Sequence, residues 1–269
     1  MPDPRELVAE MYLQFAEELA DASGEAIRPW FRRDPEVERK HDGTPVTQAD
    51  RAAERAIRER IADRYPQHGV IGEEYGVEHA DAEWVWVVDP IDGTGAFVAG
   101  LPTFGTLIAL LQDGAPWLGV LDQPILRERW SGVDVARVMA RTTHNSHVVH
   151  TSSTVALADC VGFATTPEMF DRREAAAWTR LSDSLARVRY GADCYAYGLL
   201  ASGFVDIVCE ASLKNWDYLA LAPIVRGAGG QMTDWEGSAL TIESGSRVLA
   251  AANANVHRAA IGRLEQIEG

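Results

Sequence analysis

Apolar residues near the start of the chain recur every three or four positions, as on one face of an amphipathic α-helix. These residues are Leu7, Met11, Phe15, Leu19, Ile27 and Trp30. The spacing predicts one helix over roughly the first thirty residues. A second predicted helix runs from Thr47 to Tyr65, and Thr47 with Asp50 three positions later resembles a capping box. The sequence therefore predicts two amphipathic helices, separated by a polar turn at residues 40–46.

Short apolar runs farther along the chain predict β-strands that alternate with helices. Two of these runs end abruptly in acidic residues, and two longer runs joined by a short polar turn predict a β-hairpin. The predicted strands are 70–71, 84–88, 104–111, 117–121, 160–164, 204–209 and 248–251, and the predicted helices of the second half are 173–186, 194–201 and 217–226, with a last one starting at Asn253 or Asn255. This alternation predicts mixed α and β structure in two closely packed halves, residues 1–150 and 151–269.

Composition and charge narrow the class of protein. The chain has 269 residues, of which 46% are hydrophobic and 24% charged, as in ordinary globular proteins. Its net charge of −15 opposes binding to nucleic acid and to anionic lipid. The longest apolar run, Leu107 to Leu111, is too short to span a bilayer, and no secretory signal is visible, so we expect a cytoplasmic protein. A phosphate ligand would need added cations in order to bind, because the negative charge of the chain repels it.

The strongest candidate for chemistry is the hexapeptide Asp89-Pro90-Ile91-Asp92-Gly93-Thr94. Two carboxylates flank a peptide carbonyl, and Gly93 permits a sharp bend before a possible helix at Thr94. Mg²⁺ prefers carboxylate, carbonyl and phosphate oxygens, so Asp89, Asp92 and the Ile91 carbonyl are suitable ligands. Amide groups at the start of a helix can face a phosphate. The alternative interpretation of the hexapeptide alone is an acidic turn after a strand.

Other phosphoryl-transfer sites fit the sequence poorly. The haloacid dehalogenase type also carries an Asp-Gly-Thr signature, but its two aspartates lie two positions apart, whereas Asp89 and Asp92 lie three apart. There is no Walker-type glycine-rich loop, and no cysteine is followed five residues later by arginine. Cys160, Cys194 and Cys209 are scattered, which indicates buried apolar residues rather than disulfides or a zinc site.

Four separated motifs carry a family resemblance. They are Lys40-x-Asp-Gly-Thr-Pro-Val-Thr-x-Ala-Asp50, Gly72-Glu73-Glu74, Trp86-Val-Val-Asp-Pro-Ile-Asp-Gly-Thr94, and Trp216-Asp217 followed by Gly229-Gly230. In this order they resemble the inositol monophosphatase family of Mg²⁺-dependent phosphatases. The resemblance implies a layered α/β sandwich of the sugar-phosphatase type, a small phosphate monoester as substrate, and a homodimer.

The resemblance also implies a set of ligands for two or three Mg²⁺ ions. A first ion would be held by Glu73, Asp89 and the Ile91 carbonyl. A second would be held by Asp89, Asp92 and Asp217. A third, weaker ion would lie near Glu73 and, through water, Asp50, with Lys40 in a supporting role.

Elementary chemistry agrees with that assignment. A phosphate monoester is repelled by a chain of charge −15 until Mg²⁺ reverses the local sign. A metal lowers the pKa of a bound water, and Glu73 with Thr94 can take its proton while Asp50 holds the Thr94 hydroxyl. The sequence thus predicts direct attack by water on phosphorus, with no phosphoenzyme.

Segments of the second half are most similar to the histidinol-phosphatase branch. Asp193 and Glu210 fall where the family contacts the leaving group, and two carboxylates suit a cationic amine and imidazole better than a neutral polyol. The implied substrate-binding set is Gly93, Thr94, Gly191, Ala192, Asp193, Glu210 and Asp217. Taken alone, Asp193 could instead cap a helix, and Glu210 could lie at a solvated loop end.

The expected function is therefore Mg²⁺-dependent hydrolysis of histidinol phosphate, a step of histidine biosynthesis. The alternative is an inositol monophosphatase, or a broader sugar- or nucleotide-phosphate phosphatase with the same metal site. A protein that binds a ligand without catalysis is a third interpretation, and it would require the loss of a metal ligand.

Overall fold

The computed structural model describes residues 3–33, 38–39, 45–135 and 139–265. Lys40 and most of the predicted polar turn lie outside the described residues. The helices are α1 Pro4–Ile27, α2 Gln48–Arg64, α3 Thr94–Ala99, α4 Arg172–Ser182, α5 Tyr195–Ala201, α6 Asn215–Tyr218, α7 Leu221–Gly227 and α8 Ala254–Leu264. Short 3₁₀ turns span Arg28–Trp30, Leu157–Asp159 and Pro167–Met169.

The strands build two large sheets and one short pair. They are β1 Glu38–Arg39, β2 Pro45–Val46, β3 Gly69–Gly72, β4 Gly76–Glu78, β5 Trp84–Asp92, β6 Gly105–Gln112, β7 Ala115–Gln123, β8 Glu128–Val135, β9 Met139–His144, β10 His147–Val148, β11 Val161–Ala164, β12 Arg187–Tyr190, β13 Ile207–Glu210, β14 Gln231–Thr233 and β15 Val248–Ala251. Within the described ranges, the first sheet has 8 strands in the order β10-β9-β8-β7-β6-β5-β3-β4, and the second has 5 in the order β12-β11-β13-β15-β14. Among the described strands of the first sheet, β3 with β5 is the only parallel pair, whereas β11 in the second sheet is parallel to both its neighbours.

Three of the four apolar cores among the described residues stack helices and sheets in alternating layers. α1 and α2 cover one face of the first sheet, where Leu19, Ile57 and Trp86 are buried together. The opposite face packs through α5 and α7 onto the second sheet, with Tyr197 and Ile224 in this central core. α4 and α8 cover the outer face of the second sheet. In the described part of the chain, the order of layers is therefore helices, sheet, helices, sheet, helices.

The structure confirms several features that were predicted from the sequence. The predicted capping box at α2 is confirmed, because the Thr47 hydroxyl accepts from the Ala49 amide and the Asp50 carboxylate accepts from the Thr47 amide. The side chain of Asn253 caps α8, one of the two predicted starts. All three cysteines are buried and free, as predicted.

Other predicted bounds were wrong. The single helix predicted for residues 217–226 is two helices, α6 and α7, with Leu219 and Ala220 between them. Pro223 lies in the first turn of α7, where its missing N–H needs no partner, and it could not have donated within one continuous helix. The predicted strand 204–209 begins only at Ile207. The Phe204 amide still donates to the Leu199 carbonyl of α5, and Phe204 is 73% exposed.

The strands that went unpredicted lie mostly near the sheet edges. β8, β9, β12 and β14 carry many polar and charged residues, so no apolar run marks them. The helix predicted at 173–186 ends at Ser182, and the chain turns there to enter β12.

The two sheets use residues 69–148 and 161–251 respectively, and the division of the chain at residue 150 into two halves stays a prediction. Among the described residues, no helix is both long and apolar enough to cross a lipid bilayer.

Candidate metal centre and substrate pocket

The end of β5 carries a bulge that gathers carboxylates. Pairing with β6 shifts between Asp89, which lies opposite Leu107, and Asp92, which lies opposite Gly105. Residues three apart on a regular strand face opposite sides of the sheet, and a bulge changes that alternation. Pro90 within the bulge suits the geometry because proline has no N–H for the ladder. Two aspartates of one strand can therefore reach the same site.

Side chains of neighbouring elements hold the bulge in place. The Asp89 carboxylate accepts from the Ile91 amide at 3.0 Å. The Thr106 hydroxyl, opposite the bulge, donates to the Pro90 carbonyl at 2.8 Å, and it lies 2.7 Å from the Ser23 hydroxyl of α1. A hydroxyl pair thus replaces the ladder hydrogen bond that the bulge removes.

A third carboxylate arrives from α6, which packs against β5. The Lys214 amide donates to the Asp217 carboxylate at 2.7 Å, which fixes this side chain in the first turn of α6. One carboxylate oxygen from each of Asp89, Asp92 and Asp217 lies within 4.8 Å of the other two. We call these three residues the acidic cluster. The Cys194 amide donates to the Asp92 carboxylate at 2.8 Å from the start of α5.

The acidic cluster is electrostatically strained. Burial raises the pKa of Asp89 and of Asp92 well above the usual range, and the charge of Asp217 raises both further. Burial also raises the pKa of Asp217 to about 7, despite the hydrogen bond from the Lys214 amide. A divalent cation would relieve this repulsion, and converging carboxylate oxygens are the ligands that hard cations prefer. The residues present therefore fit a divalent metal.

Asp50 and Thr94 lie beside the acidic cluster. Gly93 has φ of 81° and turns the chain into α3, so that the Thr94 hydroxyl lies 3.1 Å from the Ile91 carbonyl and 3.5 Å from an Asp50 oxygen. The Thr47 amide and hydroxyl donate to the other Asp50 oxygen, at 2.8 and 2.5 Å. Burial raises the pKa of Asp50 to about 6, and the charge of Glu73 adds to the shift. The Asp50 carboxylate thus lies at the limit of hydrogen-bond reach from the Thr94 hydroxyl.

Glu73 follows β3 directly. Its amide donates to the Val88 carbonyl at 3.2 Å, one residue before Asp89. The Glu73 charge contributes to the raised pKa of Asp50, Asp89 and Asp217. The structure therefore brings Glu73 close to the cluster and to Asp50, on a loop held by β5.

A small cavity of 90 Å³ opens next to the acidic cluster. Asp92 and Asp217 line one side of it, and Asp193 and Glu210 also line it. Glu210 is buried rather than at a solvated loop end, and its carboxylate accepts from three donors. These are the amide and hydroxyl of Thr165, at 3.0 and 2.5 Å, and the hydroxyl of Tyr197, at 2.8 Å.

Asp193 does not cap α5. The residue before α5 is Cys194, and no side chain caps that end. Asp193 has φ of 47°, unusual for a residue other than glycine, and its carboxylate lies 3.4 Å from the Thr103 hydroxyl. A Cβ at Gly93 would come within 2.9 Å of the Asp193 Cγ, so glycine is required there for close packing. Burial raises the pKa of Asp193.

Two other residues of the predicted substrate-binding set lie just before Asp193. Gly191 is exposed with φ of 86°, and Ala192 is buried in the central core, so it can present only backbone groups to a ligand. Sequence reasoning missed Thr165 and Tyr197, which hold Glu210. It also missed Glu54, a buried carboxylate on the apolar face of α2, where the charge amid apolar residues was an available signal.

Comparisons with known proteins point to one family. A sequence model described as the inositol monophosphatase family matches residues 9–268. The bifunctional phosphatase IMPL2, chloroplastic, of Arabidopsis thaliana is 45% identical over 256 residues, which is 92% of this chain and 73% of that protein. The histidinol-phosphatase of Mycobacterium tuberculosis is 38% identical over 237 residues, covering 84% of this chain and 88% of the relative.

A solved structure shows the same fold. An inositol monophosphatase from Zymomonas mobilis superposes with a TM-score of 0.87 at 40% identity, covering 96% of this chain and 98% of that one. The layered α/β sandwich implied by the sequence motifs is thereby confirmed. The chain belongs to the inositol monophosphatase family, whose members are metal-dependent enzymes that hydrolyse small phosphate monoesters.

Proposed function

We propose that this protein is a Mg²⁺-dependent histidinol-phosphate phosphatase. The observation that carries the proposal is the acidic lining of the cavity beside the cluster, where Asp193 and Glu210 add two carboxylates outside the acidic cluster. Histidinol carries an amine and an imidazole, which are cationic groups, and carboxylates bind such groups through charge-assisted hydrogen bonds. A neutral polyol would leave these carboxylates without an opposite charge.

The proposed metal ligands are the acidic cluster, Glu73 and the Ile91 carbonyl, for two or three Mg²⁺ ions. When bound, Mg²⁺ neutralises the phosphate and makes a coordinated water more acidic. The amides of Gly93 and Thr94, at the turn into α3, are proposed to face the phosphate. Asp217 and the backbone of Gly191 and Ala192 complete the proposed substrate-binding set.

The chain's own groups supply a route for the proton. The Thr94 hydroxyl has one hydrogen and two acceptors within 3.5 Å, the Ile91 carbonyl and Asp50. When that hydrogen turns toward Asp50, the Thr94 oxygen is free to accept a proton from a water held by Glu73. Asp50 is fixed by Thr47, so the pair keeps its geometry as the proton moves.

Relatives named for histidinol-phosphate hydrolysis and relatives named for inositol-phosphate hydrolysis both support a small phosphate monoester as substrate. The Mycobacterium tuberculosis relative is named a histidinol-phosphatase, whereas a relative of Solanum lycopersicum, 32% identical over 267 residues, is named inositol monophosphatase 3. The alternative function is therefore hydrolysis of inositol phosphate or of a broader set of sugar or nucleotide phosphates. The homodimer and the cytoplasmic location inferred from the sequence stay predictions.

A panel of phosphate monoesters, assayed with Mg²⁺ and with a chelator, tests the proposal. We expect activity to disappear in chelator and to return with Mg²⁺, and kcat/KM to be highest for histidinol phosphate. Ca²⁺ should support little turnover because its larger and looser coordination shell misplaces the ligands. Full activity in chelator would overturn the metal dependence, and a preference for inositol phosphate would establish the alternative.

A further inference from the structure

A buried carboxylate lies beneath the loop that carries Glu73. Glu54, on the second turn of α2, has no exposed surface. One of its oxygens accepts from the Glu74 amide at 2.7 Å, and the other accepts from the Tyr75 amide at 3.2 Å and from Arg58 Nε at 2.7 Å. A buried carboxylate is tolerated only when its lone pairs find donors, and here three donors converge on it.

Glycine at position 72 makes this approach possible. A Cβ added to Gly72 would lie 2.0 Å from a Glu54 oxygen and 2.4 Å from its carboxyl carbon. The φ of Gly72 is not in the left-handed region, so glycine serves here for contact rather than for conformation. The carboxylate of Glu54 thus packs directly against the end of β3, immediately before Glu73.

Arg58 ties this carboxylate to the strand that follows the loop. Besides its bond to Glu54, the guanidinium donates to the Gly76 carbonyl and lies 3.1 Å from a Glu78 oxygen. Both ends of the loop are then fixed, because the Glu73 amide is bound to Val88 of β5 and the next two amides are bound to Glu54. The Glu73 carboxylate is held close to Asp89, and its negative charge contributes to the raised pKa of the Asp89 carboxyl.

We propose that Glu54 is a positioning residue of the metal centre. By accepting the two amides after Glu73, Glu54 fixes the loop so that the Glu73 carboxylate stays beside the acidic cluster, and Arg58 offsets the negative charge of Glu54. The inference rests on the proposed role of Glu73 as a metal ligand. It extends that role to residues that never touch the metal or the substrate.

The test is the variant E54Q, with metal binding as the main measurement. Glutamine keeps the shape but offers only one acceptor oxygen, so at least one of the three donors loses its partner. We expect the dissociation constant of Mn²⁺, measured by electron paramagnetic resonance on the substrate-free protein, to rise about 10- to 100-fold, as for other groups that orient metal ligands. The Mg²⁺ concentration for half-maximal activity should rise in parallel, and excess Mg²⁺ should restore part of kcat.

Asp206→Asn is the matched control. Asp206 is also a buried carboxylate, and it accepts from the Val161 backbone amide at 2.8 Å. It lies just before the first residue of β13, whereas Glu210 lies at the last. We expect its Mn²⁺ affinity to stay within about twofold of the wild type, because distant sites act independently. Equal weakening in both variants, or unchanged Mn²⁺ binding in E54Q, would show that Glu54 has only a structural role.

Two further outcomes keep the inference separate from the proposed function. If the wild-type protein neither binds Mn²⁺ nor requires Mg²⁺, the proposed function fails and this inference fails with it. If the wild type does both and E54Q behaves like it, only this inference fails.

Should E54Q not fold, R58K carries the test, since it keeps the charge but loses the guanidinium fork. R58K is expected to weaken Mn²⁺ binding several-fold, and unchanged binding would overturn the proposal.

Discussion

The first sheet buries carboxylates in two contrasting ways. In the acidic cluster at the end of β5, carboxylate oxygens of Asp89, Asp92 and Asp217 converge, and burial together with the charges of Asp92 and Asp217 raises the pKa of Asp89. Two strands away, Asp122 of β7 is equally hidden from solvent, but Arg129 donates to it at 2.7 Å and also binds Asp21 at 2.6 Å. Burial raises the pKa of Asp122, and Arg129 acts against that shift.

The difference separates carboxylates that stabilise the fold from those that serve the site. A buried carboxylate paired with a guanidinium is complete within the chain, whereas the acidic cluster is complete only when a cation joins it from solution. Replacing one carboxylate in each region should therefore have opposite consequences for stability and activity.

The largest effect is expected for Asp92→Asn. Loss of this charge should cost about 3 kcal/mol or more of transition-state stabilisation, because the proposed function makes Asp92 a shared metal ligand. In metal-free buffer the same change should leave the free energy of unfolding unchanged or higher, since it removes like-charge repulsion. Measurements of kcat/KM at saturating Mg²⁺ and urea unfolding in chelator check both parts. Activity within a few-fold of the wild type would show that Asp92 is only a turn residue.

Asp122→Asn should lower the stability of the fold and leave the activity nearly unchanged. Arg129 would lose one of its two partners, and we expect the free energy of unfolding to fall by about 1 to 3 kcal/mol. The fall is smaller than for a fully broken buried pair, because Asp21 still binds Arg129 and burial already disfavours the Asp122 charge. The kcat/KM of the folded protein should stay near that of the wild type. Glu236→Gln, in an exposed pair with Arg247, serves as the control and should cost below about 1 kcal/mol in the same urea titration. Equal losses for the two variants would contradict the comparison.

Asp193→Asn should affect substrate choice rather than chemistry. One charge-assisted contact to a cationic alcohol would be lost, which corresponds to about 1 to 3 kcal/mol, or roughly a ten- to hundred-fold fall in kcat/KM for histidinol phosphate. Glycerol phosphate makes no equivalent contact, so its kcat/KM should stay nearly constant. If both substrates decline together, Asp193 supports the fold near Gly93 and does not select the substrate.

The sequence was informative where function depends on neighbouring residues. The hexapeptide from Asp89 to Thr94 revealed a candidate metal site because its carboxylates and bend are adjacent in the chain. The cap of α2 was equally local, since Thr47 and Asp50 lie three positions apart. Asp217 entered the predicted site only through the family resemblance, because no local pattern links it to β5.

Contacts between distant segments were beyond sequence reasoning. Tyr197 and Thr165 donate to Glu210 from other elements, and nothing in the local pattern of either residue indicates an acceptor. The break between α6 and α7 was missed because apolar spacing continues across it, although Pro223 could have indicated it. The bulge at Pro90 depends on Thr106 of the adjacent strand, a pairing that only the folded sheet defines.

The position of Asp217 in the chain bears on how the enzyme becomes competent during synthesis. A nascent chain that has emerged only through β7 already holds Asp89 and Asp92, but it lacks the α6 carboxylate that completes the acidic cluster. Full metal affinity must therefore wait until the second sheet has begun to assemble and α6 docks on β5. A metal that binds only the completed site stabilises the native state, so the cation would add its stabilisation late in folding, when most of the chain is already folded.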